Sequence, residues 1–163
     1  MKNSKEARKV REMIEDIRVC MLVSEDEHGH LRSRPMHYVE VDEDMNVWFF
    51  TNKYSGKVEE VQEEMQVNLA FSDKDENDYL SISGRASVVM DKAKIDKLWS
   101  PAMKIWFPEG KDSEKIALLC IKPVHAEYWD SSSSKLVQLF KMGKAYMTGE
   151  QYQGKDSGQV VLN

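Results

Sequence analysis

The chain has few cysteines and no pattern among them. Only two occur in 163 residues. Cys20 and Cys120 lie far apart, each inside an apolar run, with no CxxC spacing to signal zinc or a dithiol. Their expected role is that of small buried hydrophobes. Histidine is scarce too: His28, His30, His37 and His125 form neither HExxH nor any cluster with metal-ligand spacing, so no metal is expected. No apolar stretch approaches the roughly 20 residues that span a bilayer. The opening Met-Lys-Asn-Ser-Lys-Glu lacks the apolar core of a secretory signal. The expected compartment is cytoplasmic, with no membrane partner. A net charge of −5 lacks the basic excess of a general nucleic-acid binder, so no nucleic-acid partner is expected either. No Ser-His-Asp, Cys-His or paired-carboxylate arrangement stands out. Chemistry on this chain would therefore belong to a cofactor.

What is present describes a globular domain. Apolar residues make up 41% and charged residues 31%, a balance that supports a core under a solvated surface. Ser4 can cap an amphipathic helix over residues 4–17, with Ala7, Val10, Met13, Ile14 and Ile17 at helical spacing. Strands are expected over residues 19–24, 31–41, 47–51, 67–72, 79–90, 116–121 and 126–129. Gly29 suits a hairpin turn, and Gly84 inside a strand marks a bulge or corner. Pro35 must sit at an edge, a bulge or a ligand-facing position, because it has no N–H to give a ladder. Helices are expected from Ser55 to about Glu64, from Asp91 to about Trp99, and over residues 135–147, with a short helical turn over residues 101–107. The hairpins are too closely spaced for repeated βαβ crossovers. A mainly β (α+β) domain follows: a small closed antiparallel barrel of six or so strands with peripheral helices. The domain is expected to span residues 1–147. Residues 148–163, polar and with three glycines, are expected to form a flexible tail.

The chemically informative stretch is 32–57. Arg32, Arg34 and Met36 alternate with Ser33 and Pro35, so the two guanidinium groups share one strand face. The next strand ends in Phe50-Thr51-Asn52, and Ser55-Gly56-Lys57 then opens a helix. A lysine in a first helical turn opposes the macrodipole. With a serine hydroxyl, a glycine and free backbone N–H groups, it makes a phosphate cradle. The plainer alternative is that Ser55 only caps the helix and Lys57 faces water; on these residues the two are evenly matched.

Arg32-Ser33-Arg34-Pro35-Met36, then Trp48-Phe49-Phe50-Thr51-Asn52, then Ser55-Gly56-Lys57 resembles the flavin mononucleotide (FMN) site of the pyridoxamine 5′-phosphate oxidase-like split-barrel superfamily, and within it the general stress protein 26 branch. Residues 79–86, 98–101, 104–108 and 126–130 match in order, so the resemblance covers roughly residues 5–145. It implies a six-stranded antiparallel split β-barrel that binds FMN. Arg34, Ser55 and Lys57 would hold the phosphate. Arg32, Ser33, Pro35 and Met36 would line the ribityl chain and ring edge, and Phe50, Thr51 and Asn52 would flank the isoalloxazine. The resemblance also implies a homodimer with flavin sites at the subunit interface. Trp106, with Tyr79 and Ser81, would reach the flavin held mainly by the other subunit. On its residues alone, Trp106 fits the core equally well. His37 could approach the flavin or be an ordinary solvated strand histidine.

The implied activity is that of a flavin-dependent oxidoreductase drawing on a nicotinamide donor, with a non-catalytic stress-related flavin carrier or sensor as the alternative. A barrel holding a deazaflavin or haem is a third reading. Two departures separate the chain from the vitamin B6 oxidases themselves. Their carboxy-terminal Arg-x-His element is missing, and Val39 stands five residues after Arg34 where they place a lysine. The resemblance therefore does not carry that oxidase activity with it.

Overall fold

The computed structural model describes residues 4–54, 65–130, 135–149 and 156–162. The chain starts with helix α1 (Lys5–Ile17). Ser4 caps it by accepting the Ala7 N–H at 3.1 Å, and Ala7, Val10, Met13 and Ile14 are buried, the stripe expected from their spacing. The helix stops at Arg18, whose backbone has a positive φ of 67°. Strands β1 (Val19–Glu25), β2 (Leu31–Val41), β3 (Val47–Asn52), β4 (Met65–Asp73), β5 (Asp78–Val89) and β6 (Ile116–Asp130) follow. Helix α2 (Lys92–Leu98), capped by Asp91, and a short 3-10 helix (Pro101–Ile105) sit between β5 and β6. Helix α3 (Lys135–Thr148) and strand β7 (Asp156–Val161) end the chain.

The strands lie in the order β3-β2-β1-β4-β5-β6-β7, and β3 also pairs with β6. That last pairing closes six strands into an antiparallel barrel, and β7 adds to it along β6. The barrel interior holds the main core, which includes Leu22, Phe49, Leu69, Phe71, Leu80, Ile82, Leu119 and Ile121, with α1 packed against it. A second cluster forms beneath α2 from Ile95, Phe107, Ile116 and Leu118. Both cysteines are buried, and burial pushes the Cys20 thiol up to about 12 and Cys120 to about 11. They remain protonated at neutral pH and act as small hydrophobes. No helix among the described residues is long and apolar enough to cross a membrane.

Two features differ from expectation. The last two expected strands are one, β6, running unbroken through Lys122-Pro123. A register shift at Ser83/Gly84, opposite Pro123, absorbs the irregularity. The tail is not loose throughout: residues 156–161 form β7, with Val160 and Leu162 buried. Val160 and Leu162 alternate with exposed Val161, and that two-residue period brings the strand onto β6. The expected helix over residues 55–64 lies outside the described residues.

The glycine in β5 has a steric reason. A Cβ at Gly84 would lie 2.7 Å from the Lys122 carbonyl oxygen and 3.0 Å from Ile121 Cγ2. The obstructing atom belongs to the backbone of a paired strand and cannot swing aside. Gly84→Ala is expected to destabilise the fold by about 1–3 kcal/mol, the usual range for overpacking. Thermal unfolding should report it as a drop of several degrees in Tm; an unchanged Tm would show that β6 can shift at no cost.

Candidate functional site

The split in the barrel arises where β2 and β3 part. Their ladder runs from Val41↔Val47 through Glu40↔Trp48 to Tyr38↔Phe49, with a register shift at Val39. A bulge bends its strand and re-aims the neighbouring residues. Toward its amino end, β2 stays laddered to β1, as Cys20↔Met36, Met21↔Pro35 and Leu22↔Arg34. β3 continues on β6, as Phe50↔Leu118, Thr51↔Ala117 and Asn52↔Ile116. Between them opens a cleft of about 510 Å³, within the range of small-molecule sites.

Each wall comes from a different element. β2 supplies Pro35, Met36, His37 and Val39, and β1 adds Val19. β3 supplies Phe50, Thr51 and Asn52. The 3-10 helix and the residues after it supply Met103, Trp106 and Phe107. Pro35 thus faces the cleft beyond the end of the β2–β3 ladder, where its missing N–H costs no bond to β3. Asn52 Oδ1 accepts the Tyr54 N–H at 2.9 Å, an Asx turn that fixes the end of β3. Thr51 is buried and polar.

The roof is held by aromatic packing and surface ion pairs. Phe50 meets Trp99 edge-on at 5.9 Å between ring centroids and Phe107 at 6.3 Å. Lys92 Nζ ties Asp96 (2.8 Å), Asp112 (2.7 Å) and the Lys111 carbonyl (3.0 Å) together. Lys115 pairs with Glu109 at 2.8 Å, and the Lys115 carbonyl accepts the Lys53 N–H at 2.8 Å, just past β3. Trp106 is not core: it is 60% exposed at the cleft rim.

Arg32 and Arg34 fall on the same strand face as Met36. Arg34 is half-buried and donates to the buried Ser24 hydroxyl at 3.1 Å, while Arg32 and Ser33 are exposed. At about 3.4 Å per strand residue, Arg34 stands roughly 7 Å along β2 from Met36. The expected set is therefore brought together in part. Pro35, Met36, Phe50, Thr51, Asn52 and Trp106 share the cleft, and Arg34 lies near it along the strand. Tyr79 and Ser81 do not line it; they sit on β5, where Ser81 Oγ accepts from the Asn68 amide at 2.9 Å. Ser55 and Lys57 lie outside the described residues. The sequence reading missed Val19, Val39, Met103 and Phe107. Val19 becomes visible only through its pairing with His37, and the other three only through the bulge and the placement of the 3-10 helix. Among the described residues, no group of three or more His, Cys, Asp or Glu side chains is placed to hold a metal.

Comparison with known proteins agrees with this architecture. A general stress FMN/FAD binding protein from Xanthomonas citri is 34% identical, with 80% of this chain and 93% of that one covered and a TM-score of 0.69. A structure from Jannaschia sp. CCS1 named for general stress protein 26 superimposes with a TM-score of 0.79 over 96% of this chain and 98% of its own, at 24% identity, which bears on the fold. Protein bli-3 of Neurospora crassa is 25% identical over 139 residues, 80% of this chain; the chain spans 66% of that relative's length. The family described as pyridoxamine 5′-phosphate oxidase like matches residues 5–153, and with the split barrel and its cleft in place, the chain belongs to that family.

Proposed function

We propose that the chain binds FMN in the β2/β3 cleft and acts as a flavin-dependent oxidoreductase. The observation that carries this reading is the cleft itself: a mostly apolar slot bordered by Phe50 and Trp106, with polar groups at Thr51 and Asn52; Arg34 lies outside its lining, two residues farther along β2 from Met36, with its guanidinium on Ser24. Those residues fit a flat heteroaromatic ring with a polar edge and an anionic tail. Bound there, a flavin would supply hydride chemistry, and a nicotinamide is the donor class suited to it. The 34% identity to a protein named for FMN/FAD binding supports the same ligand class. The chain's own part is to flank the ring with Phe50 and Trp106, offer hydrogen bonds from the end of β3, and place Arg34 for the phosphate.

A homodimer is part of this proposal. Val19 and Met21 are exposed at 46% and 39% on the outer face of β1, and Val19 also borders the cleft. A second copy over that face would cover both residues and narrow the cleft mouth. In that assembly Tyr79 and Ser81, with their row on β5, would face the other subunit's flavin. Cytoplasmic residence completes the reading.

The test is direct. Protein purified from cells, or apoprotein mixed with FMN, should hold one flavin per chain with a quenched and shifted flavin spectrum. Protein that takes up neither FMN nor FAD overturns the reading. Anaerobic mixing of loaded protein with NADH or NADPH should bleach the flavin. Persistent colour would favour the carrier or sensor alternative.

A further inference from the structure

Among the described residues that line the cleft, His37 is the one titratable side chain. Its Nδ1 lies 2.7 Å from the Tyr38 carbonyl oxygen. A carbonyl can only accept, so Nδ1 carries the proton in both the neutral and the cationic ring. The ring is further held by near-parallel stacking on Tyr38, with 7° between planes and 6.2 Å between centroids. Nε2 has no hydrogen-bond partner among the described residues. It is therefore the atom that gains or loses a proton, and it belongs to a ring that is oriented in advance.

We propose, building on the flavin reading, that His37 is a ligand-binding residue whose protonation tightens the hold of the cleft on an electron-rich ligand edge. Neutral His37 offers Nε2 as an acceptor; protonated His37 offers a charged donor to the same position. Beside Tyr38, on which His37 stacks, stand Glu15, Asp16 and Arg18, the charged groups at the end of α1 that act on its phenol. β1 contributes Val19, β3 contributes Phe50, Thr51 and Asn52, and the 3-10 segment contributes Met103, Trp106 and Phe107. None of these titrates between pH 5 and 8. The Tyr38 phenol, pushed upward by burial, stays neutral there. Histidine is the side-chain type that changes charge in this window, so affinity should fall as pH rises.

The experiment is a fluorescence titration of apoprotein with FMN at intervals from pH 5.5 to 8.5, for the native chain, His37→Gln and His37→Lys. FMN's own phosphate titrates in this range, but identically for all three proteins, so the differences between them carry the result. The native chain should bind about fivefold to tenfold more tightly at pH 5.5 than His37→Gln, the screened end of the range for charge-assisted bonds, and converge with it at pH 8.5. His37→Lys should hold the tighter affinity throughout. Parallel pH profiles for the native chain and His37→Gln overturn the proposal while leaving flavin binding intact. Absence of FMN binding by all three at every pH overturns the flavin reading and the proposal with it.

Discussion

Phe49→Ala should cost the protein about 3–5 kcal/mol of stability, a large share of the roughly 5–15 kcal/mol that holds a domain together. Phe49 is fully buried in the barrel core. It pairs with Tyr38 on β2 and with Leu119 on β6. One side chain thus fills the interior where the β2–β3 ladder ends and where β3 closes the barrel. Truncation leaves a cavity that neighbouring strands cannot fill, because each is fixed by its own ladder. Phe50 is the useful contrast. It is only half-buried, on the opposite face of β3, against Trp99 and Phe107. Phe50→Ala should cost less stability and more ligand affinity. Urea unfolding of both variants checks this: the Phe49 midpoint should fall well below the Phe50 midpoint at similar m-values. A Phe49 loss under about 1 kcal/mol would mean that the closure does not depend on this packing.

That contrast shows what the sequence could and could not say. The alternation Val47, Phe49, Thr51 against Trp48, Phe50, Asn52 is legible as a strand with two faces. Which face looks into a barrel, and which into a cleft, depends on partners more than sixty positions away on β6. Helix α1 was legible in full, since four apolar residues at helical spacing and a serine cap are local signals. The cap at Asp91 was legible for the same reason. β6 was misread as two strands because Lys122-Pro123 looks like a break. Gly84, nearly forty positions earlier, supplies the shift that lets β6 continue. β7 was hidden because its alternation is brief and flanked by glycine and polar residues. At the cleft, Pro35-Met36 and Phe50–Asn52 were legible as parts of two segments that the fold brings together. Their divergence was not, because it is made by the register shift at Val39, whose valine carries no bulge signal of its own. His37 shares a strand face with Pro35, so a two-residue period could have brought it to the cleft.

Arg34→Gln should lower FMN affinity about tenfold to a hundredfold, as expected for losing a charge-assisted bond of roughly 1.5–3 kcal/mol. The residue is suited to the task in three ways. It is half-buried, so water screens it less than exposed Arg32. The Ser24 hydroxyl, itself buried, accepts from one guanidinium nitrogen at 3.1 Å. That bond restrains a planar fork of donors, a geometry lysine cannot reproduce. It also lies along β2 at a distance that a ribityl chain starting near Met36 could cover. Measuring riboflavin beside FMN separates charge recognition from shape. If Arg34 meets the phosphate, Arg34→Gln should weaken FMN while leaving riboflavin nearly unchanged, so the preference of the native protein for FMN should shrink by the same factor. Equal losses for both ligands would mean that Arg34 acts by supporting the strand, and that the phosphate is held elsewhere. Ser24→Ala should give a smaller effect in the same direction, because it removes one restraint on the guanidinium without removing its charge. A Ser24→Ala loss as large as that of Arg34→Gln would indicate that the restraint, more than the charge, sets the affinity.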